Sequence, residues 1–197
     1  MTRFLSVAEL ESRGFRSLGA KVLIDRLAVF INPSTVSLGD GCRIDAFALI
    51  SAGEAGVHIG RHVHIGAACH IFGGGGAVIL EDFSCLSGRV SAYTCSDDFV
   101  GGSMTNPTVP DRFRDVRSGP VVLRRHSLVG CGSVILPGVE MGFGSAAGAL
   151  TLVRASVPEC TVVAGNPATP LPRLRDRSRL ERLEREFLAS SSDIQSP

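Results

Sequence analysis

The side chains able to move protons or hold metals are few, and their spacing limits what they can do. The sequence has five histidines, His58, His62, His64, His70 and His126, and six cysteines. No two cysteines form a C-x-x-C pair, which argues against zinc and dithiol redox chemistry and for buried free thiols in a reducing compartment. His70 stands alone and could serve as a general base near neutral pH, although a lone histidine is more often structural. Asp97 and Asp98, in Ser96-Asp97-Asp98-Phe99, could orient a nucleophile or simply cap a turn.

The element that must position these groups is a repeat. Leu123, Val129, Ile135, Met141, Ala147 and Val153 fall one every six residues. Neither a helix nor a simple strand gives that period. The same spacing governs Leu38, Ile44 and Ile50, then Ile59, Ile65 and Ile71, then Leu80, Leu86 and Ala92. Three extra residues, 56–58 and 77–79, separate these trios. The fourth residue after an apolar guide is often small: Ala48, Cys69, Ser84, Ser96, Ser127, Ser133, Ser145 and Thr151. Three short strands per coil then make a triangular prism, with guide residues stacked inside and small residues at its corners. The count predicts three internal columns. They start at Leu38, Ile44 and Ile50 and end at Met141, Ala147 and Val153.

Residues 98–122 interrupt the rhythm. An unstructured stretch of that length inside a compact domain points to function, although a tolerated surface insertion has the same signature. Ser6-x-x-Glu9 is a capping box for a short helix near 7–13, so residues 1–16 read as an N-terminal cap. The repeat domain spans 17–169. Residues 170–197 hold a helix near 176–189, with Leu180, Leu183 and Phe187 on one stripe, and a disordered tail from Ser190. The helix's charged residues, and His126 on a turn, read as solvated. The net charge of +1 gives no reason to expect nucleic acid or an anionic membrane as partner. No segment approaches a membrane span and no apolar run follows Arg3, so a cytoplasmic location is expected.

The hexad pattern, the long loop before the last two coils and the exit sequence Gly165-Asn166-Pro167-Ala168 resemble the hexapeptide-repeat acyltransferases. Arg43-Ile44-Asp45-Ala46-Phe47, Ser96-Asp97-Asp98-Phe99 and Met104-Thr105-Asn106-Pro107 resemble more narrowly the enzymes that acylate nucleotide-linked amino sugars. The resemblance implies an all-β solenoid, a left-handed parallel β-helix of about five to six coils with a protruding loop and a short C-terminal helix. It also implies a homotrimer with active sites between subunits. Acetyl-CoA would be the donor and a nucleotide sugar the acceptor, with no metal. This fold also hosts a zinc carbonic anhydrase using three histidines, but the histidines here do not match its spacing, and His64 is too close to His62 to reach another coil.

Carried over residue by residue, the resemblance puts Cys131 and Ala149 beside the pantetheine arm, Arg154 near the end of that path, and Gly165, Asn166 and Pro167 at the nucleotide end. Where the family has Lys or Arg after Gly-x-Pro-Ala, this chain has Thr169, and Arg173 or Arg175 could substitute. Gly132 or Ser133 could offer a backbone N–H to an oxyanion. Sugar O-acetyltransferases of the family carry a loop histidine in Thr-x-x-His-Pro. Here Thr94-Cys95-Ser96-Asp97-Asp98 puts Asp97 in that place. A carboxylate of ordinary pKa, about 3.9, is a poor base for an alcohol. An amine is already nucleophilic and needs only orientation and late proton removal, so Asp97 favours an amino-sugar acceptor. Asp97 and His70 are thus the catalytic candidates, and Ser91, Asp98 and Asn106 the substrate-binding ones. Sugar O-acetylation and a non-enzymatic assembly role are the alternatives.

Overall fold

In the computed structural model, which describes residues 2–193, the chain winds into a three-faced parallel β-solenoid. The first sheet stacks strands Ser17–Leu18, Val36–Leu38, Val57–Ile59, Val78–Leu80, Val121–Leu123 and Glu140–Met141. The register aligns Leu18, Leu38, Ile59, Leu80, Leu123 and Met141 in one column. Ile24, Ile44, Ile65, Leu86, Val129, Ala147 and Val163 form the second column. Phe30, Ile50, Ile71, Ala92, Ile135 and Val153 form the third. These columns agree with the six-residue count. Within the expected bounds of 17–169 the described residues make six coils and a partial seventh, one more than the columns counted from Leu38 and Ile44. The first coil keeps the six-residue spacing, in Leu18, Ile24 and Phe30.

The three-residue insertions do not bulge outwards. They lengthen the first-face strands and add a buried row of Val36, Val57, Val78 and Val121. The small corner residues Ala48, Cys69, Ser84, Ser127, Ser133, Ser145 and Thr151 are all buried. Ser96 is the exception, because the chain has already left the prism there. Burial pushes the corner thiols of Cys42 up to about 12 and of Cys69 up to about 11, so both rest as protonated, inert groups.

At the N-terminus, helix Val7–Glu11 has the expected capping box, and Leu10 is buried. At the C-terminus, Thr161–Ala164 closes the second sheet and Thr169–Leu174 returns antiparallel to it. Helix Arg177–Asp193 then packs along the corner between the first and second faces. That corner carries a ladder of stacked rings, His62 on Phe83 at 5.1 Å and Phe83 on His126 at 5.1 Å. Phe187 meets His62 and Phe83 edge-on. His126 Nε2 lies 2.8 Å from Glu184, and both side chains are nearly buried, at 12% and 9% exposed. The solvated reading is therefore corrected for His126 and Glu184, whereas Arg179, Arg182, Arg185 and Glu186 are exposed. The helix also continues past 189 to Asp193, while residues 194–197 of the expected tail lie outside the described residues.

Candidate active site

The loop leaves the prism after the third-face strand Ser91–Tyr93 and returns at Val121. Its base is stitched down by buried Thr94, whose Oγ1 donates to the Phe72 carbonyl at 2.8 Å and accepts from Gly75 N at 2.9 Å. Cys95–Ser96 then pairs antiparallel with Arg117–Ser118, so the break in rhythm begins before residue 98. The run Gly73 to Gly76 makes this crossing possible. A Cβ on Gly75 would sit 2.5 Å from the Thr94 carbonyl oxygen and 2.6 Å from Cys95 Cβ.

Asp97 emerges directly from this ribbon. Its Oδ2 accepts from Asn106 N at 3.2 Å, and its Oδ1 is 3.8 Å from Arg114. It lines a trough of about 370 Å³ with Tyr93, Cys95, Ser96, Phe99, Val134 and Leu136. The walls are mostly apolar and Asp97 is the one charged side chain among them. His70 lies on the same outer face, between Leu49 and Ser91 as the coil count requires. It connects to the trough through stacked rings, His70–Phe72 at 6.0 Å and Phe72–Tyr93 at 4.9 Å. A larger groove of about 490 Å³ lies on the first face, lined by His58, Glu81, Asp82, Arg125 and Phe143 among others, and contains none of the candidate residues.

Asp98 and Asn106 are turned towards their own loop. The Asp98 carboxylate accepts from Val100 N, Gly102 N and Ser103 N and Oγ, and these bonds, led by that from Val100, hold it below the usual carboxylate range. Asn106 Oδ1 accepts from Thr108 N. Both side chains thus shape the loop around Asp97, with their acceptors spent inside it.

The corner between the second and third faces collects most of the residues expected to meet a cofactor. Cys131 and Ala149 occupy it in successive coils, where Leu150 N donates to the Cys131 carbonyl at 2.9 Å. Gly165 follows one coil on, tied to Leu152 through its carbonyl. Arg154 is exposed beyond the third-face strand Leu152–Val153, at the other edge of that face. Ser133 points inwards. Its hydroxyl donates to the Gly148 carbonyl at 2.9 Å and accepts from Thr151 N. The oxyanion expectation needs correcting as well. Gly132 N–H is bound to the Gly88 carbonyl and Ser133 N–H to the Gly130 carbonyl, so the coil's own turns consume both donors. Arg175 is not free to meet phosphate, because its Nη1 donates to the carbonyls of His126 and Gly144. Arg173 lies in strand Thr169–Leu174, and its side chain lies outside the described residues.

His64 departs from the sequence reading. It does reach other coils, with Nε2 2.8 Å from Asp45 Oδ2 in the coil before and Nδ1 3.7 Å from Cys85 Sγ in the coil after. The coil spacing of a parallel ladder, about 4.8 Å, puts such neighbours in reach. Among the described residues, no three His, Cys, Asp or Glu side chains are placed to hold a metal ion, and no helix is long and apolar enough to cross a membrane.

Comparison with known proteins places this geometry. The chain is 37% identical over 188 residues to the dTDP-4-amino-4,6-dideoxy-D-glucose acyltransferase of Escherichia coli, covering 95% of this chain and 96% of that one. It is 29% identical over 143 residues to a putative lipopolysaccharide biosynthesis O-acetyl transferase of the same species, covering 72% and 70%. Among solved structures it superposes on AntD, an N-acyltransferase from Bacillus cereus in complex with dTDP and 3-hydroxybutyryl-CoA. The TM-score is 0.90 at 36% identity, over 98% of this chain and 100% of that one. No family model matches the sequence. A hexapeptide-repeat acetyltransferase from Vibrio cholerae shares the fold alone, with a TM-score of 0.57 at 24% identity over 87% and 80% of the two chains. With its near-complete alignment to one acyltransferase and its superposition on another, this chain belongs to the left-handed β-helix, hexapeptide-repeat acyltransferases.

Proposed function

We propose that this enzyme transfers an acyl group from acyl-CoA to the amine of a dTDP-linked 4-amino-4,6-dideoxy sugar, in the synthesis of a surface polysaccharide. The observation that carries the reading is the near-full-length identity to an enzyme named for that sugar, combined with Asp97 at the base of the loop. AntD was also solved as variants of a serine and of an aspartate ten residues further on, in complexes with CoA and with dTDP or the dTDP-amino sugar. In this chain only Ser87 and Asp97 are a serine and an aspartate at that spacing. Sequence reasoning passed over Ser87, since nothing in the hexad pattern distinguishes it. It stands where the second-face strand Cys85–Leu86 turns the corner, one coil before Gly130 and Cys131.

The chemistry follows from these positions. The neutral amine attacks the thioester carbonyl, forming the C–N bond. The tetrahedral intermediate collapses with cleavage of the C–S bond and release of CoA. Asp97 orients the amine and accepts its proton late. The Ser87 hydroxyl can donate to the oxygen or sulfur on which charge develops. The pantetheine arm runs along the Cys131–Ala149 corner towards Gly165, Asn166 and Pro167. The working unit is a homotrimer in the cytoplasm, with sites between subunits. Exposed Leu27, Phe47 and Leu150 along this same corner support that assembly, since a monomer would leave them in water. The deciding experiment offers acetyl-CoA with dTDP-amino sugars and with their hydroxyl counterparts, and follows CoA release and product mass. Amide product from the amino sugars is expected. Release only with the hydroxyl sugars would overturn the reading in favour of O-acylation.

A further inference from the structure

On the outer second face, Asp45, His64 and Cys85 form a chain across three successive coils. Asp45 Oδ2 lies 2.8 Å from His64 Nε2, and His64 Nδ1 lies 3.7 Å from Cys85 Sγ. Asp45 is buried and is also held at 2.8 Å by both Arg43 Nε and Arg3 Nη2. Arg3 in turn binds Asp25. Burial works against the Asp45 charge, but the hydrogen bonds from His64 and Arg43 and the positive field of Arg43 prevail and keep its carboxyl below the usual range. An ionised Asp45 can only accept at this contact, so Nε2 carries a hydrogen, and Nδ1 is the ring nitrogen that faces Cys85. Burial pushes the Cys85 thiol up, so it rests protonated and needs that base to react. Among the other cysteines, Cys42, Cys69 and Cys160 are buried. Cys131 lies 3.8 Å from Arg89, which can favour a thiolate but takes no proton, and Cys95 lies in the loop ribbon.

We propose that Cys85 is a thiol–disulfide exchange site for a low-molecular-weight disulfide, with His64 as its base and Asp45 fixing the tautomer. His64 Nδ1 takes the Cys85 proton as the sulfur attacks one sulfur of the disulfide. The S–S bond of the reagent breaks, a new S–S bond forms to Cys85, and the departing thiolate takes the proton from His64. The adduct stands two residues before Ser87, so it obstructs the acyl-transfer corner until a reductant removes it. That effect on turnover rests on the function proposed above, whereas the labelling itself does not, so the two can fail separately.

The test treats the full-length protein with glutathione disulfide at neutral pH and maps adducts over time by intact mass and peptide mass spectrometry. Cys85 should acquire the adduct first. His64→Gln should slow Cys85 labelling at least about tenfold, the low end for a lost general base being larger still, while leaving Cys131 labelling unchanged as a check on folding. Asp45→Asn, which keeps the imidazole, should slow it in the same direction. Cys85→Ser should keep acyl transfer and make it resistant to the disulfide. Earlier labelling of Cys95 or Cys131, or a Cys85 rate indifferent to both His64→Gln and Asp45→Asn, would overturn the proposal.

Discussion

Replacing Asp97 by Asn separates its chemical role from its structural one. The amide oxygen can still accept from Asn106 N, now 3.2 Å from the carboxylate, so the loop keeps its main tie. What is lost structurally is the pairing with Arg114 at 3.8 Å, a long contact on a side chain still 31% exposed. Such a pair contributes less than about 1 kcal/mol. The variant should therefore unfold within a few degrees of wild type. Its chemical loss is larger. General-base groups contribute about 10²- to 10⁴-fold, and an amine that needs its proton removed only late sits at or below the bottom of that range. We expect kcat to fall about ten- to a hundredfold, roughly 1.4–2.7 kcal/mol of transition-state stabilisation, with little change in KM for acyl-CoA. Chromatographic quantification of CoA over a pH series measures this directly. If kcat stays within threefold of wild type while the fold is intact, Asp97 is not the proton acceptor, and His70→Ala is the next variant to make.

Two other expectations concern the frame. Phe187→Ala removes the ring that meets His62 and Phe83 edge-on, and since Phe187 is itself 43% exposed the cost should be about 1–2 kcal/mol, visible as faster amide exchange in helix Arg177–Asp193. Acid should loosen the N-terminal segment first. Asp25 and Asp45 both have folded-state pKa values below the ordinary one, Asp25 chiefly through the hydrogen bond from Leu27 N and Asp45 through His64 and Arg43 against its burial. Their contribution is therefore complete above the unfolded carboxylate pKa of about 4 and is lost as pH falls through the lower folded values. Asp25→Asn with Asp45→Asn should flatten the pH dependence of stability below about pH 4, and an unchanged acid limb would refute the assignment.

The sequence by itself determined the solenoid, its three columns and the presence of a long loop before the last two full coils. Those features rest on a six-residue period, and a period is a property of local order that survives without coordinates. The change from histidine to Asp97 could also be read, because a residue type at one position carries its own chemistry. Other features needed the folded chain. Val57 and Val78 read as parts of insertions, and only the register shows them to be a buried row. Gly75 is required by a crossing between coil and loop that no local rule anticipates. Ser133 sits at a corner whose inward side is decided by the turn, and Arg175 is drawn to carbonyls of residues 126 and 144 from a distant coil. His64 is the clearest case. Its neighbours in the chain gave no hint of function, because its partners Asp45 and Cys85 lie 19 and 21 residues away and come within reach only when parallel coils stack. In this fold the contacts that do chemistry run along the prism axis, about 18 to 21 residues per step, and the sequence displays most plainly the interactions that run around it.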